Sequence, residues 1–158
     1  MAEQAVVHST FVVERSYAKA PEVVFAAFAD SGKKRKWFAE GGSHALEEFT
    51  MDFREGGADL LRYRLGDDTP LPGVEIRNAG RYEDIVPNER IVTSSTMELG
   101  GKRISASLVT VELLPTAAGT DLICTFQGAF FEGADGPQMR EAGWKALLDK
   151  LGKELARA

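Results

Sequence analysis

The segment from Gln138 to Arg157, which reads QMREAGWKALLDKLGKELAR, predicts one long amphipathic helix. Its large apolar side chains recur at helical spacing, so that they share one face: Trp144, Leu147, Leu148, Leu151 and Leu155. Charged residues occupy the opposite side, which is typical of a helix with one buried and one solvent-facing surface. Pro137 precedes the segment, and a proline in the first helical turn costs no backbone hydrogen bond.

This apolar helical face needs a large apolar partner. Removing each large side chain from water contributes roughly 1.5–3 kcal/mol, which exceeds the intrinsic helix propensity of the segment. Between residues 43 and 131, apolar and polar residues alternate in short runs that are separated by turn-forming residues. Consecutive short strands that are joined by tight turns pair antiparallel. The sequence therefore predicts an α+β fold in which a curved antiparallel β-sheet wraps around a long C-terminal α-helix.

The N-terminal part of the chain is expected to add one strand and two short helices. Residues 9–16 alternate as a first strand, and Pro21 opens a helix with one apolar side. Ser31 is expected to cap the second short helix, which includes the run KKRK at residues 33–36 and Trp37. Such a run either contacts an anion or forms a solvated helix face, and we favour the solvated face.

The length and composition fit one globular domain over residues 1–158, with its core at about 9–157. A net charge of -5 disfavours nucleic acid as a partner, since phosphate binding relies on clustered Lys and Arg. The apolar runs are too short for a membrane span, and the N-terminus lacks the basic-then-apolar pattern of a signal peptide. We therefore expect a cytoplasmic protein that is either a monomer or a homodimer.

Few residues of the chain suggest catalysis or metal binding. His8 and His44 are the only histidines, and neither has the spacing of a metal ligand or a neighbouring acid. Cys124, the single cysteine, lies in an apolar strand, where a thiol is usually inert. The sequence contains no phosphate-binding loop and no nucleophile motif. It thus predicts no catalytic residue, no metal and no cofactor.

Several motifs resemble those of one protein family. Residues 52–57, DFREGG, are similar to its D-x-R-x-G-G hairpin. Residues 80–92, GRYEDIVPNERIV, are similar to its G-x-Y-x-x-I-x-P-x-x-R-I-V strand pair. Residues 109–113, followed by Gly119-Thr120, match its last strands, and Gly143-Trp144 with Leu148 and Leu151 match its terminal helix. In this order, over residues 11–155, the motifs resemble the family named after the activator of the 90-kDa heat-shock protein ATPase.

The resemblance implies a stand-alone, single-domain member of the START-like, or SRPBCC, superfamily with its helix-grip fold. Members of this superfamily typically hold a largely apolar cavity between the sheet and the long helix. Because the family name comes from co-chaperones, the resemblance also implies a chaperone as an alternative partner and a role in the stress response. In the DFREGG hairpin, Gly56 and Gly57 are both expected to adopt positive φ, where a side chain is strained.

The residues that border such a cavity are predicted from the strand and helix faces. Small hydroxyl side chains at Thr93 and Ser95, where relatives often carry aromatic residues, leave space between sheet and helix. These two residues, like Arg62 and Arg64, either face the cavity or lie on the solvent face. The core needs most of the aromatic rings, so we expect only a subset around Tyr82 and Trp144 to reach a ligand. The predicted ligand-binding residues are Trp37, Phe53, Tyr63, Tyr82, Ser95, Met97, Phe126, Trp144 and Leu148.

Three functions fit these observations. Non-enzymatic binding of a small hydrophobic or aromatic molecule fits best, because the implied fold forms a cavity and no catalytic set is evident. The alternatives are a chaperone-associated interaction module and a polyketide cyclase- or hydrolase-like enzyme, since a few positioned polar groups can catalyse a reaction. A buried Arg, Glu or Tyr in an enclosed cavity would favour the enzyme. A small dry cavity beside an exposed apolar patch would favour the interaction module.

Overall fold

A computed structural model describes residues 5–42 and 44–157 of the chain. Its elements are, in chain order, β1 (Val7–Tyr17), α1 (Pro21–Ala29), α2 (Ser31–Lys34), a π-helical turn (Arg35–Ala39), β2 (Ala45–Met51), β3 (Ala58–Arg64), β4 (Glu75–Val86), β5 (Arg90–Leu99), β6 (Lys102–Thr116), β7 (Gly119–Phe130) and α3 (Pro137–Arg157). The predicted α+β helix-grip architecture is confirmed. The predicted domain bounds of 1–158 also include residues 1–4, 43 and 158, which lie outside the described residues.

One antiparallel sheet contains all seven strands, in the order β1-β7-β6-β5-β4-β3-β2. Strands β2 to β7 form a meander, and β1 pairs with β7 along its whole length. The register of β4 against β5 shifts between Tyr82 and Asp84, which marks a bulge. Bulges bend a strand and increase its twist, so this one contributes to the curvature of the sheet. Among the described residues, no helix combines the length and hydropathy needed to cross a membrane.

Helix α3 buries the apolar face that the sequence predicts. Leu148 and Leu151 are inaccessible to solvent and Leu155 is buried, while Trp144 is half-buried nearer the start of the helix. The helix packs against β1 and against the π-helical turn. The hydroxyl of Tyr17 in β1 donates a hydrogen bond of 2.7 Å to the carbonyl of Leu148. This bond fixes the helix against the first strand of the sheet.

The short helices differ from the sequence prediction in their cap. Asp30, and not Ser31, caps α2, because its carboxylate accepts a hydrogen bond of 3.0 Å from the backbone N–H of Lys33. Ser31 instead forms the first helical residue after α1 ends. Asp and Ser are similarly good caps, so the sequence alone did not separate them. The π-helical turn that follows presents Trp37 to the core, where its Nε1 donates to the carbonyl of Ala27 at 2.9 Å.

The two hairpin glycines act in different ways. Gly56 has φ of 81°, as expected. The expectation of positive φ for Gly57 is wrong, because glycine is needed there for space: a Cβ at Gly57 would lie 2.0 Å from the carbonyl oxygen of Asp52. The backbone N–H of Gly56 donates to the carbonyl of Tyr82, and the N–H of Tyr82 donates to Gly57, at 2.8 and 3.0 Å. The hairpin thus holds the backbone of Tyr82 in place.

Candidate functional site

A cavity of about 60 Å³ lies between the sheet and the helical elements. Aromatic rings enclose much of it. The centroid of the Phe38 ring lies 5.5 Å from that of Trp37 and 6.3 Å from that of Trp144. Phe53 packs edge-on against Tyr82 with centroids 5.0 Å apart. The lining combines rings, aliphatic side chains and a few polar groups: Phe28, Lys34, Trp37, Phe38, Phe49, Phe53, Asp59, Leu60, Leu61, Asn78, Tyr82, Ile91, Thr93, Ser95, Val109, Val111 and Trp144.

The structure brings together part of the predicted site. Trp37, Phe53, Tyr82, Ser95 and Trp144 all line the cavity. They come from the π-helical turn, the β2–β3 hairpin, β4, β5 and α3, so five separate segments meet at this place. Tyr82 and Trp144 thus border the same cavity, and their contact with a ligand stays a prediction.

Four other predicted residues lie outside the cavity lining. The ring of Phe126 stacks on that of Phe11 at 4.7 Å and is 1% exposed, so it belongs to the interior of the core. Leu148 is also a core residue, with no exposed surface. Tyr63 is half-buried, with its ring 4.8 Å from that of His44. Met97, further along β5 than Ser95, is half-buried as well. Apolar periodicity identified their inward face but did not separate core from cavity.

The polar strand residues divide between the two faces of the sheet. Thr93 and Ser95 line the cavity, and the Ser95 hydroxyl lies 2.9 Å from that of Ser107 on β6. Arg62 and Arg64 on β3 are not part of the lining and form ion pairs with glutamates: Glu47, Glu48 and Glu75. The arginines therefore bind acidic groups on the sheet surface, and the small hydroxyl side chains provide room inside.

Three ionisable side chains meet at the edge of the cavity, and we call Lys34, Asp59 and Tyr82 the polar cluster. The Nζ atom of Lys34 lies 3.4 Å from Asp59 Oδ2 and 3.4 Å from the Tyr82 hydroxyl oxygen. The Tyr82 hydroxyl donates a hydrogen bond of 3.1 Å to the same carboxylate oxygen. Lys34 is only 7% exposed, although its neighbours Lys33 and Lys36 are exposed.

Burial governs the electrostatics of the polar cluster. Removal from water lowers the pKa of Lys34, and the charge and hydrogen bond of Asp59 oppose this shift without cancelling it. Burial, followed by the charge of Asp59, raises the pKa of Tyr82, so its hydroxyl stays protonated and donates. The Lys34 Nζ also lies 4.6 Å from the centre of the Phe38 ring, whose face attracts a cation.

A glycine on the neighbouring strand makes room for Asp59. Asp59 on β3 pairs with Gly80 on β4, and Gly80 pairs in turn with Ser95 on β5. A Cβ atom at Gly80 would lie only 2.3 Å from Asp59 Oδ1. Glycine therefore lets the carboxylate of Asp59 lie across β4 towards Tyr82 and Lys34. This accounts physically for the glycine of the G-x-Y motif in this chain.

Neither Lys34 nor Asp59 is among the residues that the sequence predicts for the site, and the reasons differ. Lys34 was interpreted as part of a solvated basic run, yet it precedes Trp37 by three residues and Phe38 by four, which is the spacing of one helical face. Asp59 shares the strand parity of Leu61, an inward-facing residue of β3. In both cases the spacing from apolar neighbours indicates an inward-facing side chain, whereas the charge of the residue favours a solvent-facing one.

The remaining candidate groups offer no second site. Burial raises the pKa of the Cys124 thiol to about 12, which keeps it protonated and unreactive. His8 and His44 are both exposed. Among residues 5–42 and 44–157, no group of three or more His, Cys, Asp or Glu side chains has the arrangement of a metal site.

Comparison with known proteins places this geometry in a family. Residues 18–156 match the family model described as Activator of Hsp90 ATPase homolog 1-like protein. The chain belongs to this family. The membership predicted from the motifs is thus confirmed, and the match covers every element that lines the cavity. No curated protein gives a significant match to the chain.

Solved structures of similar proteins share the architecture. The Mll3558 protein of Rhizobium loti is 44% identical, with a TM-score of 0.85, and the match covers 96% of this chain and 99% of that one. A protein from Rhizobium leguminosarum is 35% identical, with a TM-score of 0.90 and 97% of each chain covered. An AHSA1-like protein from Aeromonas hydrophila, 19% identical with a TM-score of 0.69 over 94% and 93% of the chains, shares the fold.

Proposed function

We propose that this single-domain protein binds a small hydrophobic molecule in the cavity between the sheet and the helices. The observation that supports the proposal is an interior space, lined by aromatic rings, with a buried polar cluster on its border. Ligand pockets characteristically combine an apolar lining with a few positioned polar groups. The rings would contact the apolar part of the ligand, and the polar cluster would bind one polar atom.

The size of the cavity limits the ligand. A volume of about 60 Å³ accommodates several water-sized spheres of about 10–15 Å³ each, whereas a cavity of about 150 Å³ is known to hold benzene. A compact molecule of a few heavy atoms therefore fits without rearrangement. An aromatic ligand would have to displace side chains of the lining, such as those of half-buried Phe38 and Trp144.

One observation favours enzymatic activity as a second candidate function. Buried Tyr82 lines the cavity beside an amine and a carboxylate, and such groups transfer protons when a substrate is positioned next to them. The chaperone-associated role is supported by the family description alone. A cytoplasmic location and a role in the stress response stay predictions, as do a monomeric or dimeric state and the absence of a nucleic-acid partner.

A pair of serine variants tests the binding function. Ser95 lines the cavity, while its neighbour Ser94 bonds Glu83 through its hydroxyl and is not part of the lining. Xenon, a small apolar probe, and toluene, a larger one, would be titrated into the protein while amide and indole NMR signals are recorded. We expect xenon to shift signals of cavity residues in the wild type and in Ser94→Phe. Ser95→Phe should lose these shifts, because its ring fills the space and displaces neighbouring side chains.

The melting temperatures of both variants separate a filled cavity from a damaged core. If Ser95→Phe destabilises the protein by more than the overpacking cost of about 1–3 kcal/mol, the substitution has damaged the core and not only filled the cavity. Shifts by toluene as well as xenon would show that the cavity expands for an aromatic ligand. If neither probe shifts the signals of cavity residues in the wild type, the binding function is wrong.

A further inference from the structure

We propose that Lys34 is a nucleophilic amine that captures a small aldehyde or ketone in the cavity as an iminium ion. This inference rests on the proposed function, because the carbonyl compound has to enter the same cavity. It goes further in naming the ligand class and the atom that reacts. Three features of the polar cluster support it: the isolation of the amine, its loose contacts and the charge balance around it.

Lys34 is set apart from the other described lysines by its burial. Among the described lysines, Lys34 is the one that is buried, and it lines the cavity. Burial lowers the pKa of Lys34, so a larger fraction of the amine is neutral near pH 7 than for an exposed lysine. A desolvated lysine of this kind is a recurrent nucleophile towards carbonyl carbon.

The contacts of the amine leave it available to a ligand. Its distances of 3.4 Å to Asp59 and 3.4 Å to Tyr82 both exceed the usual range of about 2.7–3.2 Å for such hydrogen bonds. Asp59 already accepts a closer bond, of 3.1 Å, from Tyr82. The Nζ therefore has no short hydrogen bond to either partner, and a carbonyl group in the cavity can replace these weak contacts.

Charge balance favours a neutral carbonyl compound over an anion. Lys34 and Asp59 carry opposite charges and face each other across the polar cluster. A carboxylate ligand would be attracted by the ammonium of Lys34 but repelled by the carboxylate of Asp59. Its binding would also require the desolvation of a second anion. An aldehyde or ketone brings an acceptor oxygen and an electrophilic carbon without a charge. Its alkyl part then fits the ring-lined remainder of the cavity.

Formation of the iminium ion needs only the protons of Lys34 and the carboxylate of Asp59. Asp59 takes one proton from the ammonium of Lys34, and the lone pair of the neutral amine attacks the carbonyl carbon. A proton passes from nitrogen to oxygen to form the carbinolamine, and protonated Asp59 returns its proton to the hydroxyl, which leaves as water. The products are an iminium ion on Lys34 and ionised Asp59, so the ion pair is preserved. Tyr82 acts as a positioning residue, since its hydroxyl holds the carboxylate in place.

Reductive trapping tests the inference. The full chain would be incubated with propanal and sodium cyanoborohydride, and the modified lysines would be located by peptide mass spectrometry. We expect alkylation to be concentrated at Lys34, with exposed lysines modified at least about tenfold more slowly. Lys34→Met should lose this rapid modification, whereas Lys36→Met, an exposed lysine from the same run, should retain it.

The serine variants show whether trapping occurs inside the cavity. Ser95→Phe should slow the modification of Lys34, while Ser94→Phe should leave it unchanged. Modification of Lys34 no faster than that of exposed lysines, or no effect of Ser95→Phe, overturns the inference. If xenon nevertheless binds in the cavity, the binding function stands and only the capture of carbonyl compounds is wrong. Failure of both experiments removes both proposals.

Discussion

Two buried cations in this protein lie beside aromatic rings and pair with an aspartate, yet their contacts differ. Arg140 donates to both carboxylate oxygens of Asp135 at 2.7 and 2.7 Å and to the Ser105 hydroxyl at 3.0 Å. The nearest contacts of Lys34 to Asp59 and Tyr82 are 3.4 Å each. The two side chains are similarly buried, at 8% and 7% exposed. Burial alone therefore does not distinguish the two cations.

The difference lies in how fully each cation is hydrogen-bonded. Two parallel hydrogen bonds between a guanidinium and a carboxylate fix the orientation of the pair and strengthen it. The Arg140 guanidinium also lies 5.7 and 5.1 Å from the centres of the Phe126 and Phe130 rings, whose faces attract a cation. Arg140 does not line the cavity, whereas Lys34 does. The Arg140 pair thus holds the start of α3 to the sheet, whereas the amine of Lys34 borders the cavity, as the proposed capture of a carbonyl compound requires.

Removing the structural cation should have the largest effect on stability. Arg140→Met leaves Asp135 and Ser105 without their donor, and breaking a buried pair of this kind costs about 3–5 kcal/mol. Urea unfolding measures the loss. Arg157→Met is the matched control, because the Arg157 side chain is 74% exposed and should contribute little. If the two variants are equally stable, Arg140 does not have the structural role assigned to it.

A smaller effect is expected where the backbone makes room for Asp59. Gly80→Ala places a Cβ 2.3 Å from Asp59 Oδ1, so the carboxylate must move away from Tyr82 and Lys34. We expect a loss of about 1–3 kcal/mol from this overpacking, together with slower trapping of propanal at Lys34. Gly143→Ala is the control, since its Cβ meets nothing within 4 Å and a helical alanine stabilises by about 0.5–1 kcal/mol. An unchanged stability and trapping rate in Gly80→Ala would show that Asp59 has another position available.

The smallest effect on stability should come from Lys34→Met. The loose contacts of the amine contribute little, and Asp59 keeps its hydrogen bond of 3.1 Å from Tyr82, so we expect a change within about 1 kcal/mol near pH 7. Comparison with Arg140→Met in the same urea experiment tests the contrast directly. A loss as large as that of Arg140→Met would mean that both cations are structural.

The pH dependence of stability sharpens the same prediction. Because burial lowers the pKa of native Lys34, the unfolded chain binds this proton more strongly. The stability of the wild type should therefore rise with pH from the lowered native pKa towards the ordinary lysine value of about 10.4. Lys34→Met should lack this rise, and Arg140→Met should retain it. Cys124, whose pKa is raised to about 12, is common to all three proteins and cancels in the differences. If stability depends on pH in the same way in the wild type and in Lys34→Met, the pKa of Lys34 is not lowered in the native protein.

Much of the fold could be predicted from local patterns. The apolar face of α3, with Leu148, Leu151 and Leu155 buried, follows from spacing alone, because a helix fixes the direction of each side chain. Alternation along β4 placed Tyr82 inward, whereas alternation along β5 left both faces open for Ser95, which the structure places at the cavity. The cap of α2 was wrong because neighbouring aspartate and serine residues compete for one position.

The sequence by itself determined the α+β helix-grip fold and the family, since these depend on periodicity or on motifs within short segments. Only the tertiary structure decided which inward-facing residues border empty space and which fill the core. It also decided that Lys34, Asp59 and Tyr82 meet, because they come from three elements and their approach requires the missing side chain of Gly80. Distances between remote segments, and the burial that changes the pKa of an amine, arise only when the chain is packed.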